Sequence, residues 1–423
     1  MLLSELLISP ERPWRRGQLN VDNKRQINEL ENGPVAKELA FSESEYRHRI
    51  EKVRKMMDEK GLDVLLVTFT PNVSYLSGYQ SFGSGWYSCM LLPREGEPIL
   101  HMHGLELGPA LLTSWVKDIR SVPWSYEDGV AGDLAGILKE LKLDGQRIGL
   151  EIKRPGLGIE IYEGLKRTLP DATFIDASDL IMQPRMIKSP AELEHMRCSA
   201  EIAKKGLAAV LPIIKAGITD NQIAAVLYQT LLNEGSEYFS TQPIVSAGQR
   251  NCFGHTTFRR TPIQAGDTVA MEFGAPYHRY TSAIFHTVAI GKPSSLVERR
   301  ARVINDTLDV LLHAVKPGRT AHDVAREIGE EIGDRMTVIS DAPSSSKIYG
   351  YAIGLGFPPT WSEESCFIRE GIELELKPGM TFHSPFAVRK PGTPCVGFSE
   401  TWVVTETGCE ILTAHDRELT VRG

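Results

Sequence analysis

Residues 266–274, which read GDTVAMEFG, are the stretch that decides the fold of this 423-residue chain. The stretch is typical of a strand, and it carries one carboxylate, Glu272, directly before Phe273-Gly274. Three later segments are interpreted together with it: residues 282–287 (SAIFHT), residues 350–354 (GYAIG) and residues 378–385 (PGMTFHSP).

In chain order, these segments resemble the motifs of the creatinase/aminopeptidase family, whose catalytic domain has the pita-bread fold. The first resembles the family's GD-x-V-x-x-DFG strand, and the last two resemble its G-H-G-I-G and PGM-x-F-x-x-EP motifs. The resemblance covers about residues 42–415. It implies an α+β fold, in which a pita-bread C-terminal domain has two pseudo-twofold αβ halves around a curved antiparallel sheet. A smaller α/β creatinase-like domain is implied at the N-terminal side.

The positions that hold two metal ions in the family's peptidases carry unsuitable residues here. A dinuclear site needs several oxygen ligands, usually including bridging carboxylates. At the five aligned positions, only the first residue could bind a hard cation; they are Glu272, Ala283, Tyr351, Ser384 and Ser399. The resemblance therefore predicts a pita-bread protein that works without a metal or another cofactor.

The sequence predicts an N-terminal extension at residues 1–40, a creatinase-like α/β domain at 41–186 and the pita-bread domain at 187–423. The extension could pack on another subunit. In the second segment, Ser42 and Glu45 have the spacing of a capping box, and Phe41 and Tyr46 that of a hydrophobic staple. The helix they begin is expected to stop at Gly61 and to be followed by a buried strand.

The third segment begins with a second capping signal and contains an internal repeat. Ser189 is placed as an N-cap, followed by Pro190 and by Glu192 at the third helical position. Residues 215–219 (KAGIT) recur as residues 316–320 (KPGRT). In each copy we expect one helix to end at the glycine and the next to be capped by the threonine. The repeat agrees with a duplicated αβ half.

Composition limits the classes of partner and compartment. The formal net charge is −7, and no basic stripe interleaved with aromatic residues is present, so no nucleic-acid partner is expected. Six cysteines lack C-x-x-C spacing, which favours a reducing compartment. The first residues do not resemble a signal peptide, and no apolar run approaches the length that crosses a bilayer. We therefore expect a cytoplasmic protein that does not enter the membrane.

Among the family's branches without that metal site, the chain resembles ectoine hydrolases more closely than creatinases. The similar features are Glu272 followed by Arg279-Tyr280, the segment from Tyr351 to Trp361, Met380-Thr381-Phe382-His383, and Ser399-Glu400. Creatinases keep G-H and M-E-P segments that are absent here. The stretch 79–87 is only loosely similar, which leaves the substrate open. The resemblance implies a small zwitterionic substrate with an amidine or guanidine group, and a homodimer.

Four residues are the candidates for catalysis. His255 aligns with the catalytic histidine of creatinase, and histidine exchanges a proton near neutral pH. Glu272 can match the parallel N–H donors of an amidinium or guanidinium group, and the resemblance implies a nucleophilic role for it. It could instead position water, or pair with a nearby arginine as a structural residue. His383 is a candidate second proton relay, and Glu400 a second acid that faces a cationic substrate.

Six further residues are candidates for binding the substrate. Tyr351 replaces a family histidine and could donate a hydrogen bond to an anion. The remaining five are Phe82, Trp86, Tyr87, Trp361 and Arg279. The four aromatic residues can form flat walls for a cationic group. Phe82, Trp86 and Tyr87 lie where the resemblance implies a lid from the other subunit.

The sequence favours hydrolysis of a non-peptide C–N bond, most like the ring opening of ectoine. Three alternatives stay open at this point. They are a creatinase-like amidinohydrolase, a metal-dependent Xaa-Pro peptidase or lyase, and a non-catalytic module that binds a peptide or protein. The retained His255, Glu272, His383 and Glu400 speak against the last.

Overall fold

The computed structural model describes residues 36–123, 129–333, 335 and 348–423. Most of the expected N-terminal extension, residues 1–35, lies outside these residues. The chain divides into two compact units, Met1–Ser178 and Asp179–Gly423. The boundary expected at 186/187 lies inside the second unit, at the end of the short helix Met182–Met186.

The first unit has a mixed six-stranded sheet in the order β4-β3-β2-β1-β5-β6. The two pairs β1–β2 and β2–β3 are antiparallel, and the other neighbours are parallel. Its helices are α1 (Glu43–Lys60), α2 (Thr70–Ser77), α3 (Leu107–Thr113), α4 (Val130–Glu140) and α5 (Ile159–Thr168). Its strands are β1 (Val64–Val67), β2 (Ser88–Pro93), β3 (Ile99–His103), β4 (Asp118–Val122), β5 (Arg147–Leu150) and β6 (Thr173–Asp176).

Helix α1 begins and ends where the sequence indicates. The Ser42 hydroxyl accepts a hydrogen bond from the Glu45 amide, and the Phe41 and Tyr46 rings make an edge contact at 5.8 Å. Gly61 ends the helix in the left-handed conformation, at φ 63°. The capping box is half formed, because the Glu45 carboxylate accepts from Arg49.

The second unit contains helices on one side of two antiparallel sheets. The helices are α6 (Met182–Met186), α7 (Pro190–Val210), α8 (Asp220–Asn233), α9 (Ser295–Ala314) and α10 (Ala321–Ile332). One sheet has the order β15-β9-β8-β7 and the other β11-β10-β12-β13-β14, with β15 parallel to β9. The strands are β7 (Ile244–Ala247), β8 (Thr268–Gly274), β9 (Ala283–Ile290), β10 (Gly350–Phe357), β11 (Thr360–Ile368), β12 (Thr381–Val388), β13 (Val396–Val404), β14 (Cys409–Ile411) and β15 (Thr420–Arg422).

The two halves of this unit repeat the same turn. The Gly217 amide donates to Ile263 O at 2.9 Å, and the Gly318 amide donates to Leu376 O at 3.0 Å. Helices α8 and α10 then begin with capping boxes at Thr219 and Thr320, as the repeat indicates. The preceding helices do not end at the glycines, however. They end earlier, at Val210 and Ala314.

Strands β9 and β13 join the two sheets through a reciprocal pair of threonines. The Thr401 hydroxyl donates to Ala283 O and accepts from the Ala283 amide, both at 2.9 Å. The Thr287 hydroxyl makes the same two bonds to Gly397, at 3.0 and 2.9 Å. One threonine comes from each strand and bonds the backbone of the other strand, so the two contacts follow the pseudo-twofold symmetry of the two halves.

Strand alternation gives the joined sheets two chemically different faces. The side chains of Met271, Phe273 and Ile284 pack with α7 and α8, and those of Phe382, Phe398 and Trp402 pack in the cluster that includes α9 and α10. The opposite face, called the inner face below, carries Glu272, Phe285, His383, Pro385 and Ser399.

Candidate active site

Among the five described residues named above for the inner face, Glu272 is the one carboxylate. It lies in β8 opposite Phe285 and is 8% exposed. Its Oε2 atom is 3.7 Å from Nη2 of Arg389. Burial raises the pKa of Glu272, and the positive charge of Arg389 and the neighbouring His255 oppose this shift. A buried carboxylate with a raised pKa is a common feature of catalytic sites.

His255 lies on an exposed loop that leads into β8, with φ 60°. Two hydrogen bonds hold this loop in place. The Thr256 hydroxyl donates to Arg250 O at 2.8 Å, and the Asn251 amide donates to the Thr268 hydroxyl at 2.7 Å. His255 is among the groups that lower the pKa of Glu272, but within the described residues no hydrogen bond or ion pair joins the two side chains. Their joint role stays a prediction.

Arg389 is a site residue that the sequence reasoning missed. It directly follows β12, and its guanidinium lies 5.2 Å from the centre of the Phe285 ring. Its side chain is 31% exposed, so it faces both Glu272 and solvent. The period of two along β12 could have identified it, because His383, Pro385 and Arg389 have the same parity.

Tyr351, Trp361, His383 and Ser399 form a connected group beside Glu272. The Trp361 indole Nε1 donates to the Tyr351 hydroxyl at 2.9 Å, and that hydroxyl is 2.9 Å from His383 Nδ1. His383 Nε2 is 2.8 Å from Ser399 Oγ, which also accepts from the Phe285 amide.

The two titratable members of this group are held neutral. Burial lowers the pKa of His383 to about 3, so the ring carries one proton near neutral pH. Burial and the neighbouring Glu272 raise the pKa of Tyr351 well above its ordinary value. A ring with so low a pKa is a weak base near neutral pH. The role of His383 as a second proton relay stays a prediction.

Glu400 does not join this group. In the β12–β13 register it lies opposite Ser384, on the side of the sheet that faces the helices. It is 1% exposed, accepts from Thr413 Oγ1 at 2.8 Å and has Arg417 Nε at 3.3 Å. The prediction that Glu400 faces the substrate is corrected, because successive residues of a strand point to opposite faces.

The same alternation corrects Ser384 as a former ligand position. Its hydroxyl accepts from Trp402 Nε1 at 3.0 Å on the helix side. The neighbouring Pro385, paired with Ser399, occupies the inner-face position instead. The correction leaves the chemistry unchanged, since a proline side chain also offers no ligand.

Comparison with known proteins places this geometry in a family. Residues 194–406, half of the chain, match the sequence profile described as metallopeptidase family M24. This chain belongs to the M24 family. Residues 49–187 match the creatinase/prolidase N-terminal domain. The M24 proteins are hydrolases, and the pita-bread fold predicted from the sequence is confirmed.

Individual M24 relatives differ in activity. Ectoine hydrolase from Halomonas elongata is 28% identical over 91% of this chain and 99% of its own length. Xaa-Pro dipeptidase from Pyrococcus furiosus is 26% identical over 88% and 99%. The crystal structure of X-Pro aminopeptidase from Thermotoga maritima superposes with a TM-score of 0.75 at 25% identity, covering 88% and 99% of the two chains.

The M24 name implies a metal, but the residues present do not fit one. The inner-face residues at the family's five ligand positions are Glu272, Ala283, Tyr351, Pro385 and Ser399. Together they supply a single carboxylate. Hard divalent ions take six or more oxygen ligands, or share carboxylates between two ions. Within the described part of the chain, no group of three or more His, Cys, Asp or Glu residues could hold a metal ion.

Arg279 is a structural residue and does not reach the inner face. Its guanidinium is fully buried, stacks 3.8 Å from the centre of the Tyr238 ring and donates to Ser240 Oγ and Gly356 O. The Glu237 carboxylate lies 3.5 Å away. All these contacts are within the protein, so the prediction that Arg279 binds substrate is corrected.

The three aromatic candidates of the first unit lie in different environments. Phe82 is 72% exposed and makes an edge contact with Trp86 at 5.6 Å. Tyr87 is buried in the core, and its hydroxyl is 2.8 Å from His101 Nδ1. The substrate-binding role of Tyr87, like that of Phe82 and Trp86, stays a prediction. In the parts of the chain described, no helix has the length and apolarity needed to cross a membrane.

Proposed function

We propose that this M24 protein hydrolyses a non-peptide C–N bond in a small zwitterion with an amidine or guanidine group, without a resident metal. Ectoine is the first substrate to test. The observation that carries this proposal is the inner face itself. It offers one buried carboxylate, Glu272, and one partly exposed guanidinium, Arg389, separated by 3.7 Å.

The two charges suit the two ends of a zwitterion. An amidinium or guanidinium presents parallel N–H donors that a carboxylate accepts bidentately, and Arg389 presents the same kind of fork to a carboxylate. A substrate that bound both would replace the long Arg389–Glu272 contact with two shorter charge-assisted pairs. This arrangement favours a small substrate over an extended peptide.

The acid–base work falls to Glu272 and His255. Glu272 either attacks the amidine carbon or orients the water that does so. His255 lies on the exposed side, where it can take a proton from water and return one to the leaving nitrogen. His383 acts through its hydrogen bonds, because its pKa is lowered to about 3 by burial.

The second candidate function is that of a metal-dependent Xaa-Pro peptidase. Its support is the similarity to Xaa-Pro dipeptidases over 88% of this chain. The donor set weighs against it, because Ala283, Pro385 and Ser399 replace ligands on the inner face. We also propose, from the family resemblance, a cytoplasmic homodimer. Light scattering coupled to size-exclusion chromatography would test the dimer.

The experiment is to incubate chelator-treated protein with ectoine and follow ring-opened product by chromatography. Parallel reactions receive creatine, or an Xaa-Pro dipeptide with and without added Mn²⁺ or Zn²⁺. Ectoine opening without metal, lost in Glu272→Gln, is the expected result. Dipeptide cleavage that depends on added metal would overturn the proposal and favour the peptidase. Turnover of creatine alone would keep the reaction class and replace the substrate.

A further inference from the structure

The group of Ser399, His383, Tyr351 and Trp361 has a direction as well as a connectivity. We propose that Ser399 and His383 fix the Tyr351 hydroxyl as a proton donor that points toward the substrate beside Glu272. The substrate's identity rests on the function proposed above, whereas the direction of the chain follows from the hydrogen bonds of the protein.

The direction follows from counting donors and acceptors. Ser399 Oγ accepts from the Phe285 amide at 2.6 Å, so its own proton is free to be donated to His383 Nε2, 2.8 Å away. The neutral ring then carries its proton on Nδ1 and donates it to the Tyr351 oxygen. That oxygen also accepts from Trp361 Nε1, so both of its acceptor sites are used. The remaining Tyr351 proton has no partner within the group.

The opposite tautomer leaves a buried donor without a partner. If Tyr351 donated to Nδ1, the proton on Nε2 would be donated to Ser399 Oγ. Ser399 Oγ would then accept twice, and its own proton would have nowhere to go. Ser399 is fully buried, and among the described residues its hydroxyl contacts only Phe285 and His383. Unpaired buried donors are costly, so the first tautomer is favoured.

The free proton of Tyr351 lies on the substrate side of the group. Ser399 and His383 are fully buried and Trp361 is 4% exposed, whereas Tyr351 is only partly buried. Its charge environment includes Glu272, with which it shares no direct hydrogen bond. A substrate bound next to both side chains would therefore present an oxygen acceptor to Tyr351. That atom is a carboxylate oxygen or the oxygen that arrives at the attacked carbon.

The residues of this hydrogen-bonded group therefore have distinct roles. Tyr351 would touch the substrate, and His383 and Ser399 are positioning residues that act through it. A second proton on His383 would remove the acceptor for Ser399, and the low pKa of this ring keeps that proton away. The hydrogen bonds from Ser399 through His383 to Tyr351 therefore keep the same donor-to-acceptor direction across the neutral range of pH.

The first test reads the tautomer directly and needs no substrate. The protein is labelled with ¹⁵N-histidine, and the His383 signals are assigned by their loss in His383→Asn. Protonated Nδ1 and unprotonated Nε2 at every pH from about 5 to 8 is the expected result. A proton on Nε2, or an imidazolium in this range, would overturn the proposal even if ectoine were hydrolysed.

The second test uses the substrate found by the experiment on function. Tyr351→Phe is expected to lower kcat/KM by roughly 10- to 100-fold, the size of one hydrogen bond to a charged group. His383→Leu should lose as much. His383→Asn, which keeps an N–H near the Nδ1 position, should recover most of that loss.

The double variant separates positioning from packing. If His383 acts through Tyr351, His383→Leu in a Tyr351→Phe background should cost little further activity. A full additional loss there would show that His383 does not act through the hydroxyl. Melting temperatures identify any variant that is simply unfolded. If the wild-type protein turns over none of the substrates, the proposed function is rejected. The tautomer measurement still tests the direction of the hydrogen bonds from Ser399 to Tyr351.

Discussion

At the scale of single residues, Glu272 combines a catalytic position with an unfavourable environment. Burial raises its pKa, so the ionised form is less stable in the folded protein than in the unfolded chain. A group of this kind stabilises the fold below its unfolded pKa and loses that contribution as pH rises through the folded pKa. At pH 7, therefore, Glu272 serves chemistry at some expense to stability.

Replacing this carboxylate should separate activity from stability. Glu272→Gln keeps the shape and removes the charge, so turnover should fall at least about 100-fold. The melting temperature at pH 7 should be unchanged or higher, because a buried charge has been removed. Steady-state assays and calorimetry measure both, with the exposed Glu406→Gln as control. Retained turnover would remove Glu272 from the mechanism.

Arg389 should act on the substrate and on Glu272 separately. In Arg389→Met, KM for a substrate with a carboxylate should rise roughly 10- to 100-fold, because a charge-assisted bond is lost. The acid limb of the kcat/KM profile should also move to higher pH, since the charge that lowers the pKa of Glu272 is gone. An unchanged profile would contradict this role. Arg326→Met, on the exposed side of α10, is the control.

The sequence identified some of these residues and misplaced others, for definable reasons. Glu272 and His255 lie in motifs that survive, and Glu272 lies on the inner face. Ser384 and Glu400 were predicted to face the site, but each lies one residue away from the inner-face residue of its strand, Pro385 or Ser399. A shift of one residue along a strand moves a side chain to the opposite face. Arg389 lies outside any motif and is recognised only once the extent of β12 is known.

At the scale of elements, the threonine pair between β9 and β13 holds the two halves together. Each hydroxyl serves one buried amide and one buried carbonyl of the other strand. Thr401→Val keeps the shape but leaves the Ala283 amide and carbonyl without these partners. We expect a loss of about 2–4 kcal/mol in the free energy of unfolding of this unit, from two buried groups.

Denaturant unfolding of the variants would measure this contribution. Thr287→Val should cost a similar amount, because it breaks the equivalent pair. Thr407→Val, on an exposed turn, should stay within about 0.5 kcal/mol of wild type. A cost for Thr401→Val as small as that of the control would mean that the pair does not join the sheets energetically.

The repeated turns show how far local sequence rules extend. Thr219 and Thr320 cap the following helices as their spacing predicts. The ends of α7 and α9 were placed too late, at the glycines. Pro212 and Pro317 precede those glycines and have no amide hydrogen to donate within a helix, so each helix ends first. Gly217 and Gly318 then serve the turn, with φ of 92° and 84°.

At the scale of the whole molecule, both units bury histidines whose rings stay neutral near pH 7. Burial lowers the pKa of His101 in the first unit, and of His286 and His383 in the second, to about 3 each. In the unfolded chain these rings take up a proton near pH 6.5. A folded pKa below the unfolded value means that stability is present above pH 6.5 and is lost as pH falls toward 3.

The second unit should therefore lose more stability than the first on acidification. Each such histidine contributes a loss of up to about 1.4 kcal/mol per pH unit below its unfolded pKa. Hydrogen exchange with mass spectrometry, between pH 6.5 and 5.5, would follow the two units separately. His286→Gln should remove one of the two contributions and flatten the dependence of the second unit, whereas His313→Gln, at an exposed position of α9, should not. Equal slopes in wild type and His286→Gln would show that folded His286 accepts the proton, and the acid sensitivity would then belong to other groups.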